Sequence, residues 1–260
     1  MKKKIAALSM AACMAASVTA CGGSKPAETT AAATEAETTA AESAAEESSA
    51  EETKAAADIE TVTPGKLTVA TSPDFAPYEF YAIGEDGTPK LAGFDMDLAQ
   101  YIADYLGLEL EVVTVDFDGV ISELQTKSVD LGMAGLSPDE KRMGIMDFSD
   151  LYYMGGQSLV TVKDNAEKYN SFEAINKPDV SVGAQVGSIQ MDLANENSPE
   201  ADIVGLPKVT DIISELLTGK MDAAYIETDV AKSYQKNYPE LTLVMDVPYD
   251  AEGSAIGVCK

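Results

Sequence analysis

From about Gly65 onward, short apolar runs alternate with longer stretches of helical spacing. This alternation predicts an α/β fold, because helices between such strands cover the faces of largely parallel sheets. The predicted strands are 67–71, 110–115, 130–134, 180–184 and 223–226. The predicted helices are 120–127, 189–195, 211–218 and 228–237. They form two sets of βα units, one before about residue 152 and one after about residue 158.

A further helix is predicted over residues 94–106. Asp95 and Asp97 lie in its first turn, where the helix dipole favours acidic side chains. Gly93 precedes the helix, and Gly107 is placed to end it. The apolar residues recur about every four positions and predict one core-facing stripe of Phe94, Leu98, Ile102 and Tyr105 or Leu106.

The N-terminal residues predict export from the cytoplasm. Three lysines follow Met1, and small and apolar residues run from 5 to 20. This run is too short to span a bilayer and is typical of a signal peptide, which we assign to residues 1–20. It ends in Val18-Thr19-Ala20-Cys21, which resembles a bacterial lipobox and predicts lipid attachment at Cys21. A plain secretory signal that is cut nearby is the alternative interpretation.

Residues 21–63 are predicted to form a disordered acidic tether behind the lipid. Residues 22–63 carry ten acids against Lys25 and Lys54, a net charge of −8, and almost no large apolar side chains. Such a segment cannot bury enough apolar area to offset the entropy of ordering it. As a coil it would span about 35–40 Å.

Composition disfavours several classes of function. The chain has no histidine, so His-based metal sites, Ser-His-Asp triads and Cys-His nucleophiles are excluded. A formal charge of −26 disfavours nucleic-acid binding. With Cys13 in the signal peptide and Cys21 acylated, Cys259 has no partner for an internal disulfide. We expect neither a metal nor a cofactor.

Several segments resemble the bacterial extracellular solute-binding proteins of family 3, above all their glutamine-binding branch. The helix that opens at Gly93 fits the family signature. The other matching segments are 74–80, 116–119, 124–127, 134–142, 147–150, 185–188 and 222–227. The resemblance covers nearly all of 66–258 and implies a two-lobed, periplasmic-binding-protein-like (type II) α/β fold. Two hinge strands would cross between the lobes near 152–157 and 247–253.

The resemblance also implies the domain boundaries. Lobe 1 would comprise residues 64–152 together with 253–260, and lobe 2 would comprise 153–252 with the hinge strands. Family members continue past a strand like 255–258 with further elements of lobe 1. We therefore expect the C-terminal part of that lobe to be truncated at Lys260.

The resemblance further implies which residues bind a free amino acid. A buried carboxylate needs a forked cation, and Arg142 matches the family arginine that lies five residues before Asp147. Glu227 stands where relatives most often carry the aspartate that pairs with the ligand's ammonium. The other expected contacts are Phe75 and Phe117, both placed in loops after strands, and Gly135, Ser137, Gly187 and Ser188.

Each of these residues also has a simpler interpretation. Arg142 could be a solvated turn residue, and Glu227 an acid that faces water. Ser137 and Ser188 could act only as helix N-caps. The two phenylalanines could belong to the core.

The predicted function is extracytoplasmic capture of a polar amino acid and its delivery to an ABC importer by hinge closure. The expected partners are the free amino acid, an ABC permease and the membrane, for a monomeric protein that performs no chemistry on its ligand. Ser72 replaces an aspartate of glutamine binders, which argues against glutamine as the ligand. The alternative on the same fold is a cyclohexadienyl dehydratase that acts on a prephenate-type acid, with Glu227 as general acid.

Overall fold

The computed structural model describes residues 59–250 and 253–260. The predicted signal peptide, Cys21 and most of the predicted tether lie outside the described residues. The described residues belong to one compact unit and form two α/β lobes, as the resemblance implied. Among them, no helix is both long and apolar enough to cross a bilayer.

Strands and helices alternate along both lobes. The strands are β1 Lys66–Thr71, β2 Asp74–Phe75, β3 Glu79–Ile83, β4 Pro89–Ala92, β5 Glu109–Thr114, β6 Leu131–Gly132, β7 Met146–Phe148, β8 Gln157–Val162, β9 Ser181–Gln185, β10 Asp202–Leu206, β11 Ala223–Glu227, β12 Leu241–Val247 and β13 Gly257–Cys259. The helices are α1 Phe94–Leu106, α2 Phe117–Gln125, α3 Glu140–Met143, α4 Phe172–Ile175, α5 Ile189–Asn197, α6 Val209–Thr218 and α7 Thr228–Asn237, with a 3₁₀ turn at Lys163–Asn165.

Lobe 1, defined here by β1–β7 and β13, is built on a five-stranded sheet in the order β5-β1-β6-β13-β7. β1 pairs in parallel with β5 and β6. β13 inserts antiparallel between β6 and β7. A second, three-stranded sheet of β2, β3 and β4 lies beside it. Separate apolar clusters lie around α1 and α2, so the two helices bury different parts of the lobe.

Lobe 2, defined here by β8–β12, carries a sheet in the order β10-β9-β11-β8-β12. β9 pairs in parallel with β10 and β11, whereas β8 is antiparallel to β11 and β12. In each five-stranded sheet four strands run in the same direction, as predicted, and one strand runs opposite to them. The antiparallel strands β8 and β13 are the ones that enter each sheet from the other lobe, and so they run in the opposite direction.

Two connections join the lobes, one from β7 to β8 and one from β12 to β13. They pair with each other through an antiparallel bridge between Tyr153 and Ser254. The Ser254 amide donates to the Tyr153 carbonyl oxygen at 2.7 Å, and the Tyr152 amide donates to the Ser254 carbonyl oxygen at 2.9 Å. The predicted domain limits at 152 and 252 stay predictions.

Helix α1 has the predicted limits but buries a different face. Its buried residues are Asp95, Met96, Ala99 and Ala103, while the predicted stripe is half-buried at Phe94, Leu98, Ile102 and Leu106 and exposed at Tyr105. We attribute the difference to the two alanines, whose small side chains allow the helix to approach the sheet closely. The larger residues then pack along the edges of the contact.

Candidate ligand-binding cleft

A nearly closed cleft, with room for about one water molecule, lies between the lobes. It opens beside the carboxyl ends of the parallel strands, which is where α/β proteins bind ligands. Lobe 1 contributes Phe75, Tyr78, Phe117, Gly135, Ser137 and Arg142 to its walls. Lobe 2 contributes Gln157, Gln185, Ile189, Gln190 and Glu227. The connections between the lobes contribute Gly155, Tyr249, Gly253 and Ser254.

Arg142 lies on the short helix α3 and is almost fully buried, with 6% of its surface exposed. Asp139 caps this helix, since its Oδ1 accepts a hydrogen bond from the Arg142 amide at 2.8 Å. The Asp139 Oδ2 lies 3.3 Å from Nε of the guanidinium. Burial lowers the pKa of Arg142 and Asp139 opposes this change, so the side chain keeps its positive charge.

The Arg142 guanidinium contacts both lobes. Nη1 donates to the Ser137 carbonyl oxygen at 2.9 Å, and Nη2 donates to the Gly187 carbonyl oxygen at 3.1 Å. Its Cζ lies 5.4 Å from the centre of the Phe117 ring. A guanidinium has five N–H groups, so one on Nη1 and one on Nη2 remain after these bonds and the contact with Asp139. This pair can act as a fork for a carboxylate.

Glu227 is the last residue of β11 and is also buried, at 4% exposed. Its Oε2 accepts from the Val230 amide at 2.7 Å and thereby caps α7. In the part of the chain that the structure describes, its Oε1 has two contacts, both long at 3.4 Å, with the Gly156 amide and the Tyr78 hydroxyl. Burial raises the pKa of Glu227, and the Val230 hydrogen bond partly offsets the rise. The Oε1 atom is thus weakly bonded and accessible to a cationic group in the cleft.

The two phenylalanines line the cleft, but their predicted placement in loops is wrong. Phe75 belongs to strand β2, and Phe117 is the first residue of α2, which starts three positions earlier than predicted. Both are at least 94% buried. Strand β2 has only two residues and shows no periodicity. Phe117 instead continues the helical spacing of Val120 and Leu124, so the predicted helix began one turn too late.

Gly135 lies where a side chain would not fit. Its φ is +57°, and a Cβ there would come within 2.9 Å of the Phe75 ring. Its amide donates to Asp95 Oδ2 at 3.2 Å, which holds the loop before Ser137 against the start of α1. Ser137 does not cap the next helix, as its simpler interpretation supposed, because Asp139 does so.

Gly187 and Ser188 are not among the residues that line the cleft. The Gly187 carbonyl oxygen accepts a hydrogen bond from Arg142, which does line it. The Ser188 hydroxyl caps α5, since it accepts from the Met191 amide at 3.3 Å and donates to the Gln185 carbonyl oxygen at 2.7 Å. Six of the eight predicted contacts therefore surround the cleft directly: Phe75, Phe117, Gly135, Ser137, Arg142 and Glu227.

Sequence reasoning missed the amide and hydroxyl groups of the cleft. Gln190 donates to Gln157 Oε1 at 2.8 Å, and Gln185 donates to the Pro207 carbonyl oxygen at 3.1 Å. The Tyr249 hydroxyl donates to the Gly155 carbonyl oxygen at 3.0 Å. Gln185 lies inside segment 185–188, which matches the family, so the resemblance could have identified it as a cleft residue. No sequence pattern marked the other three residues.

A buried acid pair lies behind the cleft in lobe 1. Asp95 Oδ2 accepts from the Tyr152 hydroxyl at 3.0 Å as well as from Gly135. Both Glu79 oxygens and Asp95 Oδ1 are buried without a conventional partner among the described residues. Burial and the neighbouring acid raise the pKa of Glu79, and burial raises the pKa of Asp95 to about 6. A protonated Glu79 has one O–H group to donate to Asp95, which would give two of these three oxygens a partner.

Within the described residues, no group of histidine, cysteine and acidic side chains could hold a metal ion. The cleft instead pairs one buried cation with one buried acid.

Residues 67–246 match the family model of the bacterial extracellular solute-binding proteins, family 3. The arginine-binding extracellular protein of Bacillus subtilis is 35% identical over 199 residues, which are 75% of this chain and 74% of that relative. A solved amino acid ABC transporter substrate-binding protein from Streptococcus pneumoniae, bound to L-arginine, is 35% identical with a TM-score of 0.71. That match covers 75% of this chain and 81% of the solved chain.

The cyclohexadienyl dehydratase of Pseudomonas aeruginosa is 29% identical over 180 residues, which are 69% of this chain and 66% of that enzyme. The match to the family model includes the cleft residues from Phe75 to Glu227. The chain belongs to the bacterial extracellular solute-binding proteins, family 3.

Proposed function

We propose that this protein captures a polar amino acid outside the cytoplasmic membrane and delivers it to an ABC importer. One observation carries the proposal: Arg142 of lobe 1 and Glu227 of lobe 2 are buried in the walls of one cleft. A free amino acid presents the complementary charges. Since an unpaired charge is costly to bury, a zwitterion suits this cleft better than a singly charged or neutral molecule.

The ligand carboxylate would bind the two free N–H groups of Arg142, beside Ser137 and above Phe117. The ligand ammonium would bind Glu227 Oε1, whose contacts with Tyr78 and Gly156 are both long. The aliphatic part of the ligand would pack against Phe75 and Phe117. Gly135 leaves room for the Phe75 ring, Gly187 orients Arg142, and Ser188 holds the start of α5.

Closure of the lobes follows from this division of contacts. Arg142 and Glu227 belong to different lobes, so the ligand reaches both only when the lobes meet. A ligand with more contacts in the closed form shifts the population toward that form. The ABC permease would then recognise the closed protein. Membership in an extracellular family supports this location.

We further propose that Cys21 carries a lipid anchor and that residues 21–63 hold a monomeric body away from the membrane. The absence of a basic stripe in a chain of net charge −26 argues against nucleic acid as a partner. Arginine is the first amino acid to test, because two of the relatives described above are named for binding it or were solved with it.

The experiment is a thermal-shift screen of the full-length protein with the twenty amino acids. Bound ligand stabilises the folded state by mass action, so at least one polar amino acid should raise the melting temperature in a concentration-dependent way. Analogues of that ligand without its carboxylate or without its amino group serve as controls and should shift it far less. A screen in which no amino acid raises the melting temperature would contradict the proposal.

A second candidate is dehydratase activity, favoured by the Pseudomonas relative and by the raised pKa of Glu227. A buried acid that holds its proton can serve as a general acid. We expect no phenylpyruvate when the protein is incubated with prephenate and followed by absorbance. Formation of phenylpyruvate by the parent protein but not by Glu227→Gln would favour the enzyme instead.

A further inference from the structure

Asp74 of lobe 1 makes a contact with lobe 2 that no ligand mediates. Its Oδ2 accepts a hydrogen bond from the Val209 amide, at the first residue of α6. Its backbone carbonyl oxygen accepts from the Tyr234 hydroxyl of α7 at 2.7 Å. One residue of strand β2 is therefore bound to two helices of the opposite lobe. Asp74 itself is not among the residues that line the ligand cleft.

Helix α6 has no cap from its own side chains. Its N-cap residue is Lys208, whose side chain makes no capping hydrogen bond. The first amides of a helix lack partners within the helix and carry the positive end of its dipole, so a carboxylate placed there is stabilising. Asp74 supplies that carboxylate from 135 positions earlier in the chain. The ten-residue helix is thus capped by the other lobe.

Two ion pairs also join the lobes, and both are far more exposed than this contact. Lys141 and Asp192 lie 2.8 Å apart with 76% and 58% of their side chains exposed. Lys208 and Asp116 lie 3.7 Å apart and are about half exposed. Exposed ion pairs of this kind contribute little to stability. Phe75, the neighbour of Asp74, packs in one apolar cluster with Val209 and Ile212. The capping contact therefore lies beside a buried apolar contact between the lobes.

We propose that Asp74 is a closure latch, a positioning residue whose carboxylate caps α6 of lobe 2 only when the cleft is shut. The latch stabilises the closed form without touching the ligand and so tightens binding. This inference rests on the proposed function. The observed affinity scales with the fraction of protein in the binding-competent form, so a weaker closed form lowers affinity even though every ligand contact remains.

The test uses three variants of the full chain and the amino acid found in the thermal-shift screen. Asp74→Ala removes the cap, Asp74→Asn keeps an acceptor oxygen but loses the charge, and Asp192→Asn breaks the exposed pair with Lys141. Affinity is measured by titration calorimetry, dissociation by stopped flow, and closure by small-angle X-ray scattering with and without ligand. The melting temperature of the ligand-free protein reports on general damage to the fold.

For Asp74→Ala we expect affinity to fall by about 3- to 30-fold, the range that loss of a helix cap produces. Most of the loss should lie in faster dissociation, and the ligand-bound protein should scatter as a more open particle. Asp74→Asn should lie between this variant and the parent. Asp192→Asn should change affinity by less than about twofold. The ligand-free melting temperatures of all three should match the parent.

Two results would overturn the latch. In one, both Asp74 variants bind as tightly as the parent. In the other, they lower the ligand-free melting temperature as much as the ligand-bound one, which indicates a role in the fold instead of in closure. If Asp74→Ala does not fold, Asp74→Asn alone decides by the same criteria. A parent protein that binds no amino acid overturns the proposed function and the latch together.

Discussion

The two ends of the cleft are both built on helix starts, but they divide capping and binding differently. At the lobe 1 end, Asp139 caps α3, so Arg142 has no capping role, and two N–H groups of its guanidinium remain for the ligand. At the lobe 2 end, Glu227 caps α7 through Oε2 and faces the cleft through Oε1. Changes at Arg142 should therefore affect binding almost alone. Changes at Glu227 should affect binding and stability together.

The largest expected effect is at Arg142. Arg142→Ala would leave a buried ligand carboxylate unpaired and cost about 3–5 kcal/mol, roughly two to three and a half decades of affinity. The ligand-free melting temperature should change little, since Asp139 still caps α3. Lys141→Ala, in the same helix but exposed, is the matched control and should bind like the parent. Titration calorimetry would refute the role of Arg142 if both variants bound equally well.

The next effect is the pH dependence of the free energy of unfolding, to which the buried acids of lobe 1 should contribute more than Glu227 of lobe 2. The pKa of Asp95 is raised on folding to about 6, and that of Glu79 is raised as well. Their protonated forms stabilise the fold fully below the unfolded pKa of about 4, and this stabilisation is lost as pH rises through the folded values. We expect the free energy of unfolding to be higher at pH 5 than at pH 8, with about 1 kcal/mol from Asp95 and a further contribution from Glu79.

Glu79→Gln isolates this contribution, because its amide can donate to Asp95 at every pH. Denaturant unfolding of this variant should show a flatter dependence between pH 5 and pH 8 than the parent. Glu227→Gln should flatten it less, since the Val230 hydrogen bond already opposes the rise of that pKa. Equal slopes for the parent and Glu79→Gln would show that the pair does not share a proton.

Two substitutions at Glu227 should distinguish its contribution to ligand binding from its contribution to capping α7. Glu227→Gln keeps an oxygen for the Val230 amide but loses the charge that faces an ammonium, which should cost about 1.5–3 kcal/mol of binding. Glu227→Ala loses the cap as well and should also lower the free energy of unfolding by about 1 kcal/mol. Affinity by calorimetry and ligand-free melting curves report the two effects. If both variants bind like the parent, Glu227 acts only as a cap.

The smallest effect is expected at Ser188, where capping should outweigh binding. Ser188→Ala removes the hydroxyl that caps α5 and should lower the free energy of unfolding by about 1 kcal/mol. Affinity should fall by less than about threefold, because the hydroxyl is bonded to its own turn. A loss above tenfold with an unchanged melting temperature would restore Ser188 as a direct ligand contact.

Local patterns predicted most of the longer elements of this fold. Helix α7 has the predicted limits, β1 starts one residue earlier than predicted, and β5 and β9 are each shifted by one residue. The small sheet of β2, β3 and β4 was missed because its strands are short and partly exposed, so no apolar alternation marks them. Contacts between distant residues left no local trace. By its sequence position Asp95 is an ordinary acid in a first helical turn. In the structure it is buried and accepts hydrogen bonds from Tyr152 and Gly135, which are distant in the chain.

The insertion of β13 between β6 and β7 has a consequence for how the protein reaches this fold. Every strand of lobe 2 lies within 157–247, so that sheet can form as soon as this stretch is available. The sheet of lobe 1 must wait for residues 257–259, and until then the facing edges of β6 and β7 lack their partner. Unpaired strand edges are templates for association with other chains. The interval before β13 docks is therefore when this protein is most exposed to misassembly.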